Sequence, residues 1–131
     1  MPNENRTYPH LNVPRGSYSS AIRNGNWLFI AGTTVGAGVN PPADLGDLAQ
    51  QAETIFRYIG GILEAEGGSY RNLTTVTVFL TEGGREAYTA VNEARGRVFG
   101  DARPASTMVV VKELAQPAHK IEVNAIALLN G

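Results

Sequence analysis

The spacing of apolar side chains switches repeatedly between helical and strand values, and this alternation limits the folds open to the chain. Leu48, Ala52, Ile55, Ile59 and Ile62 recur at three- and four-residue steps. That spacing draws one apolar stripe and predicts a helix over about Asp47–Glu66. Gln51, Glu53, Arg57 and Glu64 fall off the stripe and are expected to face water. Gly60-Gly61 inside it costs about 1 kcal/mol per glycine relative to alanine, which either a closely approaching neighbour or a kink would explain. Gly67-Gly68 ends the helix. The period then drops to two over Thr74–Leu80, with Val76, Val78 and Leu80 on one face. It returns to helical over about Arg85–Phe99, where Ala87, Val91, Ala94 and Val98 form the stripe and Gly100 closes it. Two further strands, Ser106–Val111 and Lys120–Leu128, flank a turn at Pro117.

Upstream, Tyr18–Ile22 and Trp27–Thr33 form a predicted hairpin over Asn24-Gly25, both tolerant of positive φ. The unbroken apolar run Trp27–Ala31 suggests a strand covered on both faces. Val35–Asp44 is a predicted loop. Residues 1–14, polar and punctuated by Pro2, Pro9 and Pro14, are expected to form a flexible N-terminal arm. The order is ββαβαββ in a single domain spanning 1–131, an α+β fold with two helices on one face of a sheet. Thr75, Thr77 and Phe79 are assigned to the other face, with Met108, Val110, Ile126 and Leu128. This second face is partly apolar and no element remains to cover it, so a partner is expected, most simply a second copy of the chain.

Composition narrows the function. The 131 residues carry a formal charge of -1, without the basic excess that attracts nucleic acid. There is no cysteine, which excludes disulfides, thiol nucleophiles and thiolate metal sites. His10 and His119 lack metal-ligand spacing and are expected at the surface. No apolar run is long enough for a signal or a membrane span, so a cytoplasmic protein without membrane contact, metal or cofactor is predicted. Gly36-Ala37-Gly38 runs into Pro41-Pro42 and not into a helix, which argues against a phosphate loop.

Glu122 is the most informative residue. Ile121, Val123, Ala125 and Ala127 face one way, leaving Glu122 and Asn124 beside Ile126 on the other. Two roles stay open: a structural carboxylate paired at a subunit boundary, or a semi-buried proton carrier. Asn92 and Arg95 are three apart on one helix face with Tyr88 and Phe99. They can orient a small polar or anionic ligand, or simply meet solvent. Glu93 and Arg97 are spaced as a surface ion pair.

Gly16–Ala21, Gly25–Gly32, Val76–Leu80, Val91-Asn92-Glu93, Pro104-Ala105 and Ile121-Glu122-Val123 occur in an order that resembles the YjgF/YER057c/UK114 (Rid) family. The resemblance runs over about 14–128. It implies a chorismate-mutase-like fold with a mixed sheet, and a homotrimer with a barrel-like centre and inter-subunit clefts. It also implies cofactor-free hydrolysis of a small imine, enamine or related reactive metabolite, with a 2-aminomuconate-deaminase-like role as one version. Glu122 is the implied catalytic acid. Tyr18, Asn92, Arg95, Ser106, Thr107, Ala31 and Thr33 are the implied substrate-binding positions, for a ligand that can be a carboxylate. Ser106 stands where deaminating members typically carry a carboxylate-gripping arginine. A hydroxyl cannot reproduce that two-point, charge-assisted grip, so efficient 2-aminoacrylate deamination is not expected. Arg95, and less directly Arg103, are the candidates to replace the charge. A non-catalytic trimer that binds small metabolites is the alternative, and an endoribonuclease-type translation inhibitor fits the neutral charge less well.

Overall fold

The computed structural model describes residues 2–130. One six-stranded mixed sheet carries both long helices. The strands are β1 (Glu4–Arg6), β2 (Ala21–Asn24), β3 (Trp27–Thr33), β4 (Leu73–Leu80), β5 (Ala105–Val110) and β6 (Ile121–Leu128), with α1 (Leu48–Ala65) and α2 (Arg85–Phe99) between them. Their spatial order is β1-β2-β3-β6-β4-β5. All neighbours are antiparallel except β4 and β5, which run parallel because α2 carries the chain back between them.

Both predicted helices form within a residue of their expected limits. Asp47 caps α1: its carboxylate accepts from the Gln50 backbone N–H at 2.9 Å, and Gln50 Oε1 accepts from Asp47 N–H at 2.9 Å. The stripe Ile55, Ile59 and Ile62 is fully buried, together with Phe56 and Leu63. It packs against the sheet face formed by Val76, Val78, Ile121, Val123 and Leu28. The Gly60 penalty has a packing cause. Tyr70 crosses the helix there and donates its hydroxyl to Phe56 O at 2.8 Å, in space that a Gly60 side chain would fill.

Gln51, expected in water, is only 1 % exposed. Its Nε2 donates to Gly46 O at 3.0 Å and Ala118 O at 3.3 Å, and its Oε1 accepts from Lys120 N–H at 2.9 Å. An amide whose donors and acceptor are all used can be buried without penalty. Here it ties the start of α1 to the loop before β6. Arg97 reaches Glu53 of α1 at 4.0 Å and not Glu93, because the helices lie side by side.

The N-terminal stretch is not a loose arm in this structure. Residues Glu4–Arg6 add an edge strand to β2, with Glu4 opposite Arg23. Tyr8 is buried and donates its hydroxyl to Glu66 Oε2 at 2.7 Å. Glu66 also accepts from Arg23 Nη1 at 3.0 Å and forms an ion pair with Arg6, whose Nε lies 3.2 Å away. Its side chain is 7 % exposed, and a carboxylate so enclosed requires such partners. The anchor lies some sixty residues away, beyond the reach of local composition.

The turn between β2 and β3 uses Gly25-Asn26 as its two central residues, with Trp27 opposite Asn24. Only Gly25 has a positive φ, 59°, as in a II′ turn. Along β3, Leu28 and Ile30 point inward while Trp27 and Phe29 are 42 and 43 % exposed. The apolar run is thus covered on one face only within a single chain. Register also moves two residues assigned above: Val78 lies opposite Met108 and Leu80 opposite Val110. Paired residues share a face, so Met108 and Val110 lie on the helix side and Thr107 and Val109 on the open side. The open face therefore carries Trp27, Phe29, Leu128 and Val109 as exposed apolar side chains.

Candidate functional site

Glu122 sits on β6 opposite Phe79 of β4, on the open sheet face. Its side chain leans across Gly32 of β3: a Cβ at Gly32 would lie 3.0 Å from Glu122 Cδ and nearer still to Oε2. The absence of a side chain at Gly32 makes room for the carboxylate. Together they form the floor of a cavity of about 700 Å³. One wall is the segment leading into β2. Asn12 bridges to Gly38, and Val13 N–H donates to Ala37 O at 2.9 Å. This path delivers Arg15 and Tyr18 to the cavity, with Arg15 N–H donating to Tyr18 Oη at 3.2 Å. The opposite wall comes from the loop between β5 and β6, including Leu114 and His119.

His119, expected at the surface, is half-buried in this wall. Its Nδ1 lies 3.1 Å from Pro117 O. In the neutral ring Nδ1 then carries the proton and Nε2 is an acceptor. Nε2 is enclosed against Gly36 without a partner.

Asn92, Arg95 and Ser106 form a second cluster, lining a recess of about 190 Å³. Arg95 Nη1 donates to Ser106 Oγ at 2.6 Å and Nη2 to Asn92 Oδ1 at 3.3 Å. A guanidinium therefore reaches the Ser106 position from α2. Arg103 turns back on its own loop and donates to Gly100 O and Ala102 O, which occupies it locally.

Within one chain these two groups do not meet. Ser106 pairs with Val76, on the helix side, and lies two strands across and three residues along from Glu122. Strand geometry makes that about 14 Å, on opposite faces of the sheet. Thr107 pairs with Thr77, which pairs with Asn124, so it shares the face of Glu122. Thr33 is buried and donates its hydroxyl to Ala31 O at 2.9 Å, leaving no hydroxyl proton for a ligand. Ala31 offers only a methyl group, and of these neighbours it is Gly32 that lines the cavity. Arg15 and Gly32 are among the pocket residues that the sequence did not single out, and His119 lines the pocket although it was expected at the surface. Among the described residues no group of His, Cys, Asp and Glu is gathered as a metal site, and no helix is long and apolar enough to cross a membrane.

Residues 10–129 match the family model described as endoribonuclease L-PSP. The chain belongs to this family, the YjgF/YER057c/UK114 or Rid group. A RutC family protein of Pyrococcus horikoshii is 36 % identical over 87 % of this chain and 88 % of its own. The 3-aminoacrylate deaminase RutC of Acinetobacter baylyi is 29 % identical, again over 87 and 88 %. Among solved structures, a candidate endoribonuclease of Thermotoga maritima is 31 % identical and covers 98 % of each chain at a TM-score of 0.86. The sheet with two helices is therefore that of the family.

Proposed function

We propose that the protein hydrolyses a small imine or enamine to the corresponding 2-oxo acid and ammonia, in a cleft completed by a neighbouring copy of the chain. The carrying observation is the placement of Glu122 over Gly32, on the floor of a cavity large enough for a small metabolite. The activity named for the Acinetobacter baylyi relative, deamination of an enamine, agrees with this chemistry.

Water adds to the carbon of the C=N bond of the imine tautomer while nitrogen gains a proton. The resulting carbinolamine then loses ammonia as its hydroxyl proton leaves and C=O forms. Glu122 accepts the proton from water and returns it to nitrogen, so the carboxylate is regenerated. Tyr18 borders the same cavity and positions the substrate. Asn92, Arg95 and Ser106, hydrogen-bonded into one polar wall, face the cavity of the neighbouring subunit in a homotrimer. Two features support that assembly: the half-sites are separated within one chain, and Trp27, Phe29, Val109 and Leu128 stand exposed on an unpartnered face. The competing role, binding without turnover, is favoured by the neutral Ser106 whose hydroxyl already receives Arg95.

The test generates 2-aminoacrylate with a serine dehydratase, and branched 2-imino acids with an amino-acid oxidase plus catalase. Release of 2-oxo acid is then followed with and without the protein. Acceleration is expected to be greater for the branched imines, and to be lost in Glu122→Gln. No acceleration with either source, from a sample that light scattering shows to be trimeric, refutes the hydrolase assignment. A monomer refutes the shared cleft.

A further inference from the structure

Among the described residues that line the Glu122 cavity, Arg15 is the sole lysine or arginine. Its chain path is fixed. Residues 12 and 13 are hydrogen-bonded to the 37–38 segment, and the Arg15 guanidinium is pinned by one bond, Nη2 to Gly38 O at 2.9 Å. Arginine has five N–H donors in a rigid fork, so one pinned donor leaves most of the fork open. Nothing acidic among the described residues satisfies it, since Arg15 takes part in none of the ion pairs that its fellow arginines make with Glu4, Glu53, Glu66 and Asp101.

Arg15 and Glu122 therefore border one cavity with opposite charges and no ion pair between them. A small ligand with an anionic end and a reactive nitrogen would span such a gap, its anion on Arg15 and its nitrogen toward Glu122. Arg95 offers a poorer seat. It spends one donor on Ser106 and another on Asn92, and it opens on a recess of about 190 Å³ where the Arg15 cavity has about 700 Å³. One stretch of the larger cavity's wall is apolar, with Val39, Pro41, Pro42, Leu45 and Leu114 lying beside the polar Thr34, Gln116 and His119.

We infer that Arg15 is the anion-binding residue of this pocket and that the ligand is a carboxylate bearing an apolar side chain. The inference rests on the proposed use of the Glu122 cavity, and it names the substrate class. A two-point carboxylate contact from a guanidinium is both directional and stronger than a neutral hydrogen bond. Held there, the carboxylate would fix the adjacent C=N carbon near Glu122, while the side chain displaces water from the proline-lined wall.

The test is equilibrium binding to the full-length protein, which separates it from turnover. The probes are 4-methyl-2-oxopentanoate, its neutral amide, and 2-oxopropanoate, measured by calorimetry against wild type, Arg15→Leu, Arg15→Lys and Arg95→Leu. Leucine keeps the apolar stem of residue 15 and removes the charge, and a melting curve checks that each variant is folded. The expected result has several parts. The branched acid binds wild type at least tenfold more tightly than its amide or 2-oxopropanoate. Arg15→Leu loses at least tenfold for the acid but under threefold for the amide, and Arg15→Lys recovers only part of the loss. Equal weakening of acid and amide would reduce Arg15 to a packing role and overturn the inference. So would loss confined to Arg95→Leu, or absence of binding to wild type. Intact, Arg15-dependent binding without imine hydrolysis would overturn the enzymatic function and leave the anion site standing.

Discussion

Replacing Gly32 with alanine tests whether Glu122 acts from the place where the fold holds it. Gly32 is not at a positive φ, so the backbone accepts alanine and only the new methyl group matters. That methyl would stand 3.0 Å from Glu122 Cδ and 3.4 Å from Cγ, where carbon atoms prefer about 3.5–4.0 Å. The carboxyl group must therefore move by roughly 1 Å, the displacement being largest at its oxygens. Stability should hardly register this. A partly exposed glutamate relieves the clash by turning, at a cost of about 0.5–1.5 kcal/mol if it leaves its rotamer. Alanine recovers about 0.4–1 kcal/mol by restricting the unfolded chain. The near-cancellation predicts a melting temperature within a few degrees of wild type. Catalysis is less forgiving, because a 1 Å misplacement costs on the order of 10²-fold. Glu122→Gln, which keeps the size and removes the proton carrier, should lose about 10²–10⁴-fold. The assay is kcat for hydrolysis of a branched 2-imino acid, paired with a thermal melt. Wild-type kcat in Gly32→Ala would refute the assigned position of the reacting carboxylate, whatever Glu122→Gln does.

Two stability predictions follow from the anchors that frame the site. Burial, the hydrogen bond to Glu66 and the charge of Glu66 all raise the Tyr8 phenol above its ordinary value of 10.0, and Arg6 and Arg23 oppose them only in part. The folded state then keeps a proton that the unfolded chain releases, so stability is full below about pH 10 and falls as pH rises further. Tyr8→Phe should lose about 1.5 kcal/mol at neutral pH and show a shallower alkaline decline in urea titrations; an unchanged slope would refute the linkage. Burial also raises Tyr58 and Tyr70, so part of the slope remains. Ala118 occupies φ 67° in the loop that walls the cavity, a conformation costing about 1–2 kcal/mol for a non-glycine residue. Ala118→Gly should raise the melting temperature by about 2–4 °C after the entropic cost of glycine, and a lower value would refute the strain.

The helices were legible because their signals are local. The stripe of α1, Gly67-Gly68 after it, and Gly100 after α2 each act within a few residues. The errors have the opposite character. Gln51 looked solvent-facing because its three backbone partners are Gly46, Ala118 and Lys120, two of them far along the chain. The N-terminal stretch looked loose because Tyr8 and Arg6 are held by Glu66, at the end of α1. For Met108 and Val110, alternation within a strand fixes two faces but not which one meets the helices. Only the pairing of Val78 with Met108 decides it.

The same parity rule governs the site. Ser106 and Thr107 are adjacent in β5, so their side chains leave opposite faces of the sheet, and the two cannot line one cleft from within a single chain. The Glu122 pocket draws on the segment before β2, Gly32 in β3, the loop after β3, and the loop before β6. None of these has a periodic signature, and Arg15 lies just beyond the polar, proline-punctuated stretch 1–14. The open face ties these facts together. Glu122 and Thr107 lie on the face that exposes Trp27, Phe29, Val109 and Leu128, whereas Asn92, Arg95 and Ser106 sit at the β5–α2 edge. If neighbouring copies cover that apolar face, they must also narrow the mouth of the Glu122 cavity. One substitution on the face, far from either cluster, should then lower ligand affinity and trimer stability together, a coupling that a self-sufficient pocket in each chain would not produce.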